Sequence, residues 1–91
     1  RLDFYGVQVE PAEAPGERRR LDQGDLAVHV AAIAAAAAAG DFVLAYAHHH
    51  LWEAEWAATP AWFRELARCW LDAGAGLVAS HGVPMLQAIE V

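Results

Sequence analysis

Two uninterrupted apolar runs joined by a helix-forming segment constrain this chain more than any other feature of its sequence. "FVLAYA" (Phe42–Ala47) and "LVAS" (Leu77–Ser80) show no polar alternation. Each is therefore expected as a strand covered on both faces, as parallel strands between helix layers are. Between them, Thr59-Pro60 reads as a cap followed by proline at the first helical position. Phe63, Leu66, Ala67, Trp70 and Leu71 then share one apolar helix face, and Gly74 ends the helix. A strand–helix–strand unit of this kind has parallel strands and a right-handed crossover in nearly all cases. The expected fold class is α/β, a layered arrangement of sheet and helix with a parallel βαβ unit.

The flanks extend the pattern. "RLDFYGVQVE" carries β-type residues and ends in alternation, so it reads as one strand. "PAEAPGERRRLDQG", with its prolines, glycines and mixed charges, reads as an exposed loop. A helix is expected from Asp25, which would cap it, with an apolar stripe of Leu26, Val30, Ile33 and Ala37 and a stop at Gly40. After the breaker "HGVP", the stretch "MLQAIEV" reads as a further strand.

Composition limits the classes of function. At 91 residues the chain holds at most one small domain, yet 57% of it is hydrophobic and four residues are Trp, a content that suits the inside of something larger. With a start at Arg1 and an end at Val91 inside an apolar run, residues 1–91 are expected to be a segment of a longer protein, a domain incomplete at both ends. A net charge of −6 argues against nucleic acid as a partner, since such proteins carry a basic stripe. Cys69 stands alone, which excludes an internal disulfide framework. "IAAAAAAG" is far short of the roughly 20 apolar residues a bilayer crossing needs, so no membrane segment is expected within this chain.

The chemistry gathers where the two apolar runs end. The first ends in His48-His49-His50 and the second in Ser80-His81. If the two strands are neighbours they stand roughly 5 Å apart, with one strand between them about 10 Å, and ligand sites of open α/β sheets collect at the carboxyl edge. In an extended segment His48 and His50 point to one side and His49 to the other. His48, His50 and His81 can then offer three imidazole nitrogens to a divalent ion such as Zn²⁺, Mn²⁺ or Fe. The plainer reading is that these histidines only cap the strand ends with hydrogen bonds, and His49 is expected to do that or to face solvent. His29 reads as a packed helix-edge residue, and Cys69 as a packed thiol. Glu53 and Glu55 read as solvated loop residues, with a supporting role at the site as the alternative. Arg18–Arg20, flanked by Glu17 and Asp22, read as a solvated run that can otherwise meet an anionic substrate. Trp52 and Trp56 either line a pocket mouth or roof the loop.

These residues resemble the bacterial capsule-synthesis proteins of the CapA, or poly-γ-glutamate cap, family, which look like metallophosphatases. In that family a buried strand ends "VVSLHWG" where this chain has "LAYAHHH", which puts the family's strand-end histidine on His48. Family members continue "DAGADLVVGHHPHVLQGIEVY", and "LDAGAGLVASHGVPMLQAIEV" follows it closely, with His81 on the first histidine of "GHHPH". The likeness covers Asp41 to Val91 well, and "RLDFYG" and "DLAVHVAAIAAA" look like the family's preceding strand and helix. Gly82 and Pro84 stand where the pattern has its second and third histidines, and His50 stands in place of a glycine.

The resemblance implies a role in capsule or poly-γ-glutamate biosynthesis, in a bacterial protein whose place of work would be the cell envelope. It also implies a divalent metal (Mn, Fe or Zn) that activates water against a phosphoester or amide-type bond of an anionic polymer. The family's Asp- and His-bearing motifs that precede this region have no counterpart in residues 1–91, so this stretch alone is expected to bind metal weakly and to be inactive. Two other functions stay open: a non-catalytic member that binds or guides the polymer through a degraded metal site, and a structural segment without a site.

Overall fold

The computed structural model describes residues 1–4 and 7–91. Its centre is the βαβ unit that the apolar runs predict. Strand β3 (Leu44–His48) leads through α2 (Ala61–Ala73) to β4 (Leu77–His81), and β3 and β4 pair in parallel. Their register sets Leu44 beside Leu77, Tyr46 beside Ala79 and His48 beside His81. Both strands end one residue beyond the apolar runs, each on a histidine, and β3 starts two residues after its run does. The fold is α/β.

Helix α2 starts one residue later than expected. Pro60 precedes it, and the Pro60 carbonyl accepts from the Phe63 and Arg64 amides at 3.0 and 3.1 Å. No side-chain cap is made there, so Thr59 does not take the capping role its type suggests. At the other end Gly74 adopts φ +118°, and the Gly74 and Ala75 amides return to the Leu71 and Trp70 carbonyls, both at 3.0 Å. This is the Schellman stop that glycine favours. A Cβ on Gly74 would also stand 2.7 Å from the Cβ of Ala37, so the glycine lets the two helices approach.

Helix α1 (Gln23–Ala38) begins earlier than the sequence suggests. Asp22, in extended conformation, caps it by accepting from the Asp25 amide at 2.9 Å. Asp25 therefore sits in the first turn, where its charge still complements the helix dipole. Gly40, at φ +88°, closes the helix as expected, with its amide on the Ala37 carbonyl.

Ile33 of α1, Ala45 of β3, Phe63, Leu66 and Trp70 of α2, and Ala75 make the core. Ala47 and Val78 pack against it from the strands, and Val43 from just before β3. The sheet is thus covered on one face. Opposite, Phe42 is 77% exposed, Leu44 and Tyr46 54%, and Leu77 50%, which corrects the expectation of strands covered on both sides.

Two further differences lie at the termini. Instead of one first strand, β1 (Leu2–Phe4) and β2 (Val7–Val9) pair antiparallel; Tyr5 and Gly6, in the middle of the expected strand, lie outside the described residues. "MLQAIEV" forms no strand, and Leu86 and Ile89 stand almost fully exposed. Side chains hold this segment instead of a ladder. The Gln87 amide donates to the carbonyls of Trp56 and Ala58, each at 3.1 Å, and Glu90 pairs with Arg64 of α2 at 2.7 Å.

Candidate functional site

The register of β3 and β4 builds a histidine cluster at their carboxyl edge. His48 and His81 are direct cross-strand partners, and the ladder continues one step beyond, with the His49 amide on the His81 carbonyl at 3.0 Å. Alternation along the strand turns His48 and His50 to the uncovered face and His49 to the helices. His81 joins the first two. His48 and His50 approach Nε2 to Nε2 at 3.1 Å, and His48 and His81 approach Nδ1 to Nδ1 at 3.4 Å. The Nδ1 of His50 donates to the Gly82 carbonyl at 2.9 Å. All three rings are exposed, so solvent and solutes reach them.

These distances decide how a metal would fit. Two ligands of a tetrahedral ion, each at about 2.1 Å, stand about 3.4 Å apart. The separation of the His48 and His81 Nδ1 atoms is that value. His50, however, meets His48 at the opposite ring nitrogen. As the rings stand, one ion cannot take all three. In keeping with this, no set of three or more His, Cys, Asp or Glu side chains among the described residues is disposed around one metal position. The residues fit a pair of ligands and not a closed triad.

Gly82 shapes the cluster in a way that residue type alone did not reveal. It takes φ +111°, and a Cβ there would collide with the His49 carbonyl oxygen and stand 3.0 Å from Cδ2 and Nε2 of His48. The backbone at this point therefore excludes a side chain, including the histidine found there in the sequence pattern this chain resembles. The signal available in the sequence was a glycine immediately after a strand-end histidine, a position where close backbone approach is common.

The other candidates lie outside this cluster. His49 lies against Trp62 and Phe63, with ring centroids 4.8 and 5.3 Å away, and accepts from the Leu51 amide at 3.2 Å. Half-buried, it makes the strand-end hydrogen bond expected of it and adds packing against the helix that the sequence did not announce. Burial lowers its pKa below the ordinary value, opposed by the Leu51 backbone contact and aided to a lesser extent by the neighbouring His48 and His50, so the neutral ring is favoured. His29 meets Trp70 edge-on at 5.7 Å, as a packed helix-edge residue would. Arg19 pairs with Glu17 at 2.6 Å and lies 3.9 Å from Glu53, while Arg20 donates to Gln8 at 2.8 Å. Trp52 and Trp56 stack edge-on at 6.0 Å; Trp52 also lines a shallow recess with Arg19, Glu53 and Trp62.

A parallel βαβ unit with imidazoles gathered at its carboxyl edge defines the class: an α/β protein with a histidine cluster at its strand ends. The sequence matches the family model of the bacterial capsule synthesis protein PGA_cap over residues 4–91, and the chain belongs to that family. No curated protein matches, and no solved structure matches. Among the described residues no helix is long and apolar enough to cross a membrane.

Proposed function

We propose that this capsule-synthesis protein carries a divalent-ion site at the β3–β4 edge, and that the site serves hydrolysis of a phosphoester or amide-type bond in an anionic polymer. The observation that supports it is the 3.4 Å separation of the His48 and His81 Nδ1 atoms across a fixed strand register. Zn²⁺, Mn²⁺ or Fe held there would supply Lewis acidity and lower the pKa of water. His48 and His81 are the ligands; the ladder between β3 and β4 fixes their spacing. Two imidazoles leave the remaining positions of the ion to other donors and to substrate. The exposed rings leave the edge open to a long polymer.

A second reading, a non-catalytic member that binds or guides polymer, is favoured by Gly82 and Pro84, which bring no ligand to the positions next to His81. One experiment separates the two. Bound metal is measured after equilibrium dialysis, and turnover of a generic phosphodiester is followed, for the protein and its His48→Ala and His81→Ala variants. Loss of both metal and turnover in each variant supports the hydrolytic reading. Metal bound without turnover supports the second, and metal retained by both variants overturns the site itself.

A further inference from the structure

We infer that His50 is a positioning residue: it fixes the tautomer of His48 so that the Nδ1 lone pair of His48 faces His81, and it does not itself enter the ligand set. The inference rests on the ion site proposed above. It follows from hydrogen-bond polarity along four consecutive groups. The Gly82 carbonyl has only lone pairs, so its 2.9 Å contact requires a proton on Nδ1 of His50. A neutral imidazole has one N–H, so Nε2 of His50 is an acceptor. The 3.1 Å contact between the two Nε2 atoms then requires the proton of His48 to sit on its Nε2. Nδ1 of His48 is left as a lone pair, aimed at Nδ1 of His81 at 3.4 Å.

Metal-binding histidines usually hold their second nitrogen on an acceptor, which fixes the tautomer and the ring orientation. Here that acceptor is Nε2 of His50, anchored in turn by a backbone carbonyl. The backbone of Gly82 runs so close to the His49 carbonyl and the His48 ring that no side chain fits between them, which places its carbonyl beside His50. Were His50 itself a ligand through Nε2, it would have to release the N–H of His48. Through Nδ1 it would have to release Gly82. With an ion between the two Nδ1 atoms, only His81 changes, moving its proton to Nε2. His50, expected from the sequence as a third ligand, thus takes a different part at the same site.

The test uses two readouts at about pH 8, above the range in which histidine ordinarily titrates. Nitrogen NMR of the ion-free protein, labelled at histidine, reports each tautomer. The expected result is Nε2–H for His48 and Nδ1–H for His50, with His48 becoming a tautomer mixture in His50→Ala. Co²⁺ and Zn²⁺ titrations follow. His50→Ala should weaken binding by about 10- to 100-fold, the usual cost of losing such a supporting partner, while leaving the Co²⁺ absorption bands in place. His50→Gln, which keeps a donor and an acceptor on one planar group, should recover most of the loss. His48→Ala should abolish the bands. If His50→Ala abolishes them as well and His50→Gln rescues nothing, His50 is a ligand and the inference falls while the ion site stands. If the unaltered protein binds neither ion, the ion site falls. The tautomer of His48 then decides alone: Nε2–H that depends on His50 sustains the positioning role, and Nδ1–H, or indifference to His50→Ala, overturns it.

Discussion

Replacing Gly82 with alanine tests the geometry of the cluster without touching any histidine. The residue sits at φ +111°, where an L side chain is strained whatever the space around it. Holding a non-glycine residue in such a conformation costs on the order of 1–3 kcal/mol. The added methyl also meets the His49 carbonyl oxygen, which is backbone and cannot rotate away, and lies 3.0 Å from two atoms of the His48 ring. Part of that overlap can relax because the turn is only half-buried. A total near 2–3 kcal/mol is therefore expected, roughly a 30- to 140-fold change in the folding equilibrium at about 1.4 kcal/mol per factor of ten. Urea unfolding followed by tryptophan fluorescence reads this as a midpoint lower by about 2 M, for an m-value near the bottom of the range for small proteins. If the turn yields instead of the fold, the Gly82 carbonyl leaves His50 and ion affinity drops with little loss of stability. Gly82→His should behave no better, since the same backbone must carry a larger side chain. A Gly82→Ala protein within about 0.5 kcal/mol of the original, with unchanged ion affinity, would refute the reasoning, because that is how an ordinary surface substitution behaves.

Two predictions concern the scaffold. Trp70 is 6% exposed in the core, where it also meets His29, so Trp70→Ala should cost about 3–5 kcal/mol and lower the melting temperature steeply, as calorimetry would record. Asp22→Ala removes the cap of α1 and should cost about 1 kcal/mol in the same assay, clearly more than Asp25→Ala; equal costs would mean that the capping assignment is wrong.

The βαβ unit was legible because uninterrupted apolar runs and a Pro-to-Gly helix frame are strong local signals. Parallel strands put His48 and His81 at the same sheet edge; that the two strands are neighbours in a register that pairs these residues is what the structure adds. What the sequence left open was decided by tertiary detail. Asp22 and Asp25 are both good caps at a helix-like spacing, and only the backbone conformation at Asp22 selects it. "RLDFYGVQVE" has the composition of one strand, and its division into β1 and β2, with Phe4 opposite Val7, is a local pairing that composition does not show. "MLQAIEV" has strand-like residues but no adjacent ladder among the described residues; Gln87 and Glu90 satisfy neighbours by side chain instead. At the site, residue type gave three imidazoles on one side. It could not say which ring nitrogen faces which neighbour, and that choice separates a ligand from a residue that positions one. Nor could it show that Gly82 owes its place to a left-handed backbone packed on His49.

Anomalous scattering from crystals soaked in Zn²⁺ or Mn²⁺ tests the ion site most directly, because it locates the ion without any assay of activity. The account predicts one peak between Nδ1 of His48 and Nδ1 of His81, about 2.1 Å from each, with His50 still on the Gly82 carbonyl. A peak bonded to Nε2 of His50, or ion-soaked crystals with no peak at this edge, would contradict it.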